Sequence, residues 1–135
     1  KFCLSEVKLG LVPAVISPYV IAAIGERQAR RYFLSAEVFP ADEAKRIGLL
    51  HDTAPGAELD AAVDRVLHWL SKGGPVAQRE AKQLIQRQTG MTPTAQKLKD
   101  RQNARLIARL RVSKEGQEGL SAFLDKRAPS WSRDS

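Results

Sequence analysis

Glu6 is the residue of this chain best placed by its neighbours to do chemistry. A short apolar run, Phe2-Cys3-Leu4, leads through Ser5 to this single acid, and Val7-Lys8-Leu9-Gly10-Leu11-Val12-Pro13 follows. The Gly-x-x-Pro segment turns the chain tightly before a helix. A carboxylate fixed between an apolar stretch and such a turn can be held against a substrate and can move a proton. On a free loop the same residue would be a solvated acid. Other reactive groups are sparse. Cys3 is the one cysteine, so an intrachain disulfide and a thiol-rich metal site are excluded. His51 and His68 are too far apart for a short-spacing metal motif.

The elements that must position Glu6 can be read from the Gly/Pro punctuation and the apolar spacing. Residues 1–4 suit the end of a strand. A helix is expected from about Ala14, accepting Pro18 in its first turn and stopping at Gly25. A second helix, Glu26 to Ala36, places Ala29, Tyr32, Phe33 and Ala36 on one face. Pro40 to Gly48 reads as a short helix with acids in its first turn and bases in its last. Leu49 to Thr53 reads as a short strand ended by Pro55-Gly56. Beyond Gly56 the pattern is helical. Leu59, Val63, Val66, Leu67 and Leu70 make one stripe, and Val76, Ala77, Ala81, Leu84 and Ile85 the next. Thr92-Pro93 starts a helix that should reach Val112, and Ser113 caps a last helix carrying Leu120, Phe123 and Leu124. The tail Ser130 to Ser135 is polar apart from Trp131 and is expected to fray.

Four segments in order carry a resemblance to a known family. Glu6 to Pro13 resembles the catalytic-loop segment of the enoyl-CoA hydratase/isomerase (crotonase) superfamily. Ala41 to Leu50 resembles its "A-x-E-A-x-x-x-G-L-V" segment. Gly74-Pro75 with Ala81-Lys82 resembles its "P-x-A-x-x-x-A-K" helix. Glu118 to Arg127 resembles its C-terminal "E-G-x-x-A-F-x-E-K-R" signature. The resemblance implies the C-terminal portion of an α/β crotonase (ClpP-like) fold, with this chain mostly α-helical and strands short. Residues 1–56 would end the spiral core, and 57–135 would form a helical trimerisation region. It also implies an upstream ββα spiral that supplies the oxyanion-hole N–H groups and, in hydratases, another glutamate. The Lys at position 1 and the missing upstream half read as a cut rather than a natural start.

By the same resemblance, the activity is addition of water across the C2=C3 bond of an enoyl-CoA thioester. Charge builds on the thioester oxygen in the transition state, where fixed N–H donors stabilise it. Glu6 would deliver the proton to C2, and the backbone N–H of Ala14 would be offered to the catalytic water. Ser17 and Tyr19 would shape the acyl pocket and contact a distal carboxylate. Phe123 and Lys126 would meet the adenine and phosphate end of CoA. The partners implied are an acyl-CoA substrate and further copies of the chain, as a homotrimer or a hexamer built as a dimer of trimers. No metal and no separate cofactor is implied, since CoA arrives with the substrate.

The sequence departs from the family at two places. Cys3 replaces a usual Gly, and Pro13-Ala14-Val15-Ile16-Ser17-Pro18 replaces the common P-G-A-G-G-T turn. Followed by Tyr19-Val20, that turn resembles the branch of bacterial 3-methylglutaconyl-CoA hydratases of leucine breakdown. The related isohexenylglutaconyl-CoA hydratases look similar. Short-chain enoyl-CoA hydration and enoyl-CoA isomerisation stand as alternatives within the superfamily.

Net charge is +7, and an excess of positive charge draws anions. Lys97, Arg101, Arg105 and Arg109 recur at helical spacing as a basic stripe. The stripe has the charge for RNA phosphates, which makes an RNA-binding module the alternative of another class. It lacks interleaved aromatics and any nucleic-acid motif, so it reads as a solvated or subunit-facing surface. No apolar run is long enough to span a membrane, so no membrane partner is expected. One free cysteine fits a reducing compartment, and the expected location is cytoplasmic.

Overall fold

In the computed structural model, which describes residues 1–90 and 92–131, six helices follow a leading 3₁₀ turn, and a second 3₁₀ turn, Gly56–Glu58, lies between the second and third of them. The leading turn is Glu6–Leu9, and the helices are α1 (Ser17–Ser35), α2 (Ala41–Arg46), α3 (Leu59–Ser71), α4 (Pro75–Gln88), α5 (Pro93–Arg111) and α6 (Lys114–Leu124). The chain forms two compact units. One comprises residues 1–51 together with the chain from Lys99 onward, and the other Asp52–Leu98. The last helix therefore packs with the first segment. The fraying expected near the C-terminus concerns mainly residues 132–135, which lie outside the described residues.

Gly and Pro set the boundaries in the first unit much as their chemistry requires. Gly25 has φ 73° and ψ 165°, a non-helical pair that an L side chain resists, and it divides α1 into two helical parts at the place where one helix was expected to stop and the next to begin. The helix begins at Ser17 rather than Ala14, with Pro18 in its first turn, where a missing N–H costs nothing. Two strand expectations fare differently. Phe2 pairs with Phe39 as an isolated antiparallel bridge, Phe2 N to Phe39 O at 2.9 Å and Phe39 N to Phe2 O at 3.0 Å. Leu49 to Thr53 is not a strand. The N–H groups of Leu49 and Leu50 both turn back to the Ala44 carbonyl, at 2.8 and 3.1 Å, and so cannot serve a ladder.

The core of this unit gathers Val20, Ile24, Ala29, Tyr32, Phe39, Ala44 and Ile47, with Phe2, Leu4, Phe33, Leu49 and Leu50 against it. Tyr32, only 1% exposed, stacks at a tilt on Phe39 with ring centroids 4.2 Å apart, and Phe2 stacks on Phe39 at 5.7 Å. Burying a phenol requires an acceptor for its hydroxyl. Tyr32 Oη donates to Glu43 Oε1 at 2.6 Å, and Arg46 Nη2 donates to the same oxygen at 2.6 Å. Paired first with Arg46 and then with Tyr32, the Glu43 carboxyl is held down at about 2.

Helix α6 is held at both ends. Ser113 Oγ accepts from Gly116 N at 3.1 Å, the expected N-cap. Beyond its C-terminus Arg127 grips Glu118 with two bonds, Nη1 to Oε1 at 2.7 Å and Nη2 to Oε2 at 2.9 Å. The buried face of α6 differs from expectation. Phe123 and Leu124 are exposed, and Gly116, Gly119 and Ala122 are buried. The glycines turn inward because backbone packs on them: Leu9 of the Glu6–Leu9 turn lies against Gly119, and the Leu110 carbonyl at the end of α5 against Gly116.

In the second unit α3 and α4 follow Pro55-Gly56 and Gly73-Gly74-Pro75, as their punctuation requires. Gln78 Nε2 donates to the Leu70 carbonyl at 2.6 Å across the α3–α4 corner. Thr92 Oγ1 caps α5 by accepting from Ala95 N at 3.3 Å. The apolar stripe Leu59, Val63, Val66, Leu67 and Leu70 forms on α3 as read, and it is exposed in this chain. No helix among the described residues is long and apolar enough to cross a membrane.

The Glu43 pairing gives a pH prediction. Its carboxyl falls from 4.5 to about 2 on folding, and Glu118, gripped first by Arg127 and then by the Ser130 N–H, also falls from 4.5 to about 2. Both depressed values favour the folded state above pH 4.5, and that contribution is lost as pH drops toward 2. Replacing both by Gln is therefore expected to flatten the acid limb of a stability–pH curve between those values. An unchanged acid limb in urea denaturation would contradict the pairing.

Candidate functional site

The Glu6–Leu9 turn is built so that one carboxylate projects from a fixed base. Lys8 N donates to Ser5 O at 3.0 Å and Leu11 N to Glu6 O at 3.0 Å, so both ends of the turn are tied. Gly10 closes it at φ 67°, a left-handed angle that a residue with a Cβ adopts only with strain. Glu6 then lines a cavity of about 310 Å³ with Cys3, Leu4, Leu11, Val12, Pro13, Ala14, Val15, Ile16 and Ile107. The walls are apolar almost throughout. Glu6 Oε2 is buried and has no hydrogen-bond partner. Leaving a buried carboxylate oxygen unpaired is costly, and such an oxygen favours the arrival of a proton donor. A carboxylate in the lining of an apolar pocket can accept a proton from water or give one to carbon; here Oε2 is the oxygen closed off from solvent.

Ala14 is the second expected site residue at this cavity. It is buried, and its N–H donates to the Val12 carbonyl at 2.8 Å rather than into the pocket. The expected donor to a catalytic water is thus engaged within the loop in this geometry. The Ala14 carbonyl is held twice, by Ser17 Oγ at 2.9 Å and by Asn103 Nδ2 at 2.6 Å. Ser17 therefore acts on the loop through its hydroxyl and does not line the cavity. Tyr19 is 55% exposed and Phe123 66% exposed, and neither they nor Lys126 line it. Lys126 stands just past α6 with φ 53°. Glu6, Ala14 and, through Ala14, Ser17 come together; Tyr19, Phe123 and Lys126 do not join them.

Two contributors escaped the sequence reading. Asn103 and Ile107, one helical turn apart on α5, reach the loop and the cavity. They lie beside Leu106 and Leu110 on the half-buried face of α5, while Lys97, Arg101, Arg105 and Arg109 are exposed. The i, i+3, i+4, i+7 spacing of Asn103, Leu106, Ile107 and Leu110 was the available signal, masked by the denser basic stripe. Among the described residues no group of three or more His, Cys, Asp or Glu side chains could hold a metal ion.

The Asn103 bond can be tested directly. Ala14 O is an acceptor only, so the Asn103 amide must present its NH₂. Asn103→Ala should cost about 0.5–1.5 kcal/mol, the net worth of one such bond. Asn103→Asp should cost more, because a carboxylate oxygen would then face the carbonyl oxygen. Equal losses in denaturant titrations of the two variants would show that the bond does not form.

Comparison with known proteins matches residues 1–134 to the family described as enoyl-CoA hydratase/isomerase. A curated relative, the 2,3-dehydroadipyl-CoA hydratase of Escherichia coli, is 31% identical over 135 residues, covering 97% of this chain and 51% of its own length. The structure of an enoyl-CoA hydratase from Mycobacterium avium is similar with a TM-score of 0.80 at 36% identity, over 97% of this chain and 50% of that one. The enoyl-CoA hydratase of Shewanella pealeana is 47% identical with a TM-score of 0.62, over 96% of this chain and 48% of its own. The chain spans about half the length of the curated relatives it matches.

Proposed function

The chain belongs to the enoyl-CoA hydratase/isomerase family, and from that membership we propose that it carries the proton-delivering half of an enoyl-CoA hydratase active site. Its fold is part of the α/β crotonase fold, and the part present is mostly helical. The order of the four motif segments supports reading it as the C-terminal half of the domain. The observation that carries the functional reading is Glu6 as the acid in the lining of an apolar cavity, with one oxygen buried and unpaired.

In this reading the acyl group enters the cavity with its C2=C3 bond beside Glu6. Water adds at C3, electron density moves toward the thioester carbonyl, and Glu6 delivers a proton to C2. Donors to the thioester oxygen and a further carboxylate for the water come from outside the residues present here. The apolar walls keep bulk water from competing for the carboxylate. Tyr19 would meet the distal end of the acyl group, Ser17 would fix the loop that borders it, and Phe123 and Lys126 would hold the nucleotide end of CoA. Tyr19, Phe123 and Lys126 are exposed and so free for such contacts.

The substrate proposed is a glutaconyl-type acyl-CoA, of which 3-methylglutaconyl-CoA in leucine breakdown is the leading case. Support comes from the Ala14-Val15-Ile16-Ser17 loop and from a relative named for dehydroadipyl-CoA, whose acyl group also ends in a carboxylate. The proposed assembly is a homotrimer or a dimer of trimers formed through residues 57–135. The exposed apolar stripe of α3 supports it, since such a stripe gains by being covered. A cytoplasmic setting belongs to the same proposal.

The test is turnover by the full-length protein with 3-methylglutaconyl-CoA and crotonyl-CoA side by side. Faster turnover of the branched diacid is expected. Glu6→Gln should lower kcat roughly 100- to 10,000-fold, the usual worth of one proton-transfer group, with CoA-ester binding retained. Near-normal turnover by Glu6→Gln would reject the role of Glu6. Preference for crotonyl-CoA would reject the substrate and keep the mechanism.

A further inference from the structure

Glu6 projects from a turn that has no side-chain anchor of its own, since Ser5 makes no side-chain cap to it. What the turn rests on is backbone. A Cβ built on Gly119 would lie 2.4 Å from the Leu9 carbonyl oxygen and 2.5 Å from its carbon. From the other side, a Cβ on Gly10 would lie 2.8 Å from the Glu115 carbonyl oxygen. Leu9-Gly10 and Glu115 to Gly119 thus approach more closely than any residue with a side chain allows. The turn is tied internally by Lys8 N to Ser5 O and Leu11 N to Glu6 O. A push on Leu9 is therefore transmitted to Glu6 three residues away.

We infer that Gly119 is a positioning residue for the Glu6 carboxylate, acting through the backbone of Leu9. This deepens the proposed function and rests on Glu6 being the proton-delivering group. The glycine is needed because α6 is itself fixed, by the Ser113 cap at one end and the Glu118–Arg127 pair at the other. With the helix held, an added methyl group is accommodated by retreat of the turn. A retreat of about 1 Å at a reacting group costs on the order of 100-fold in rate. Gly119 does not line the cavity, and with α6 held in place the exposed Phe123 and Lys126 keep their positions, so binding of the CoA ester has no reason to change.

The experiment is a double-mutant cycle in the full-length enzyme. Wild type and Glu6→Gln come first: normal turnover by Glu6→Gln would end the reading of the site before Gly119 is examined. Given a Glu6-dependent enzyme, Gly119→Ala should lower kcat roughly 100-fold with KM within about twofold. In the Glu6→Gln background the same substitution should change turnover by less than about twofold, since two residues acting through one group are not additive. Additive losses, or a loss confined to KM, would overturn the inference. Gly10→Ala approaches the same contact from the other side and should lower kcat likewise, on top of the strain of a φ of 67° that Gly48→Ala, at φ 86°, shares without the contact. Gly48→Ala is the control: its Cβ would meet the Ala23 carbonyl oxygen at 3.1 Å, away from the turn, and it should lower thermal stability while leaving kcat intact. Should Gly119→Ala and Gly10→Ala both fail to fold while Gly48→Ala folds, the contact serves folding and not positioning, and the inference falls.

Discussion

The approach of α6 to the Glu6–Leu9 turn is the constraint on which the candidate site depends. Two backbone segments more than a hundred residues apart in sequence meet with no side chain between them. Such contact is possible only where a glycine stands at the point of approach, and Gly10 against Glu115 and Gly119 against Leu9 supply that condition. Close-packed interiors transmit displacement rather than absorb it. The position of the acidic turn is therefore set by the position of the last helix, which the Ser113 cap and the Arg127 pair fix in turn.

The segment carrying Glu6 is held at its other end by aromatic packing. Phe2 pairs its backbone with Phe39 and stacks on the Phe39 ring, which leans on Tyr32. Tyr32 can be buried because Glu43 accepts its hydroxyl, and Glu43 can stay ionised there because Arg46 pairs with it. This chain of dependence runs from a surface ion pair to the start of the Glu6 segment. On the far side of the cavity, Asn103 fastens the Ala14 loop to α5. The pocket is thus framed from three directions, and Glu6 in its lining carries a buried oxygen with no hydrogen-bond partner.

Much of this was legible in the sequence where a residue's own chemistry decides its conformation. The Gly25 kink, the Pro40 and Gly48 limits of α2, the Thr92 and Ser113 caps and the singular place of Glu6 all follow from local rules. What was not legible depends on neighbours distant in sequence. A last helix carrying Leu120, Phe123 and Leu124 reads as apolar on that side, and nothing local says that glycines form its buried face. Leu49-Leu50 has a strand's composition, but a strand exists only with a partner, and Ala44 claims those N–H groups first. Ala14 keeps the N–H that the resemblance assigns to a water, and the loop turns it to Val12. Asn103 was hidden because one polar residue among many bases carries no signal until the loop it holds is seen.

The proposed chemistry stands or falls on Glu6 facing the reacting carbon of an acyl-CoA. The most direct measurement is the structure of the complete protein with a bound, unreactive acyl-CoA analogue. The acyl chain is expected in the cavity bordered by Leu11 to Ile16, with a Glu6 carboxylate oxygen about 3–3.5 Å from C2, the distance of a reactive contact. An acyl chain bound elsewhere, with Glu6 turned to solvent, would contradict it.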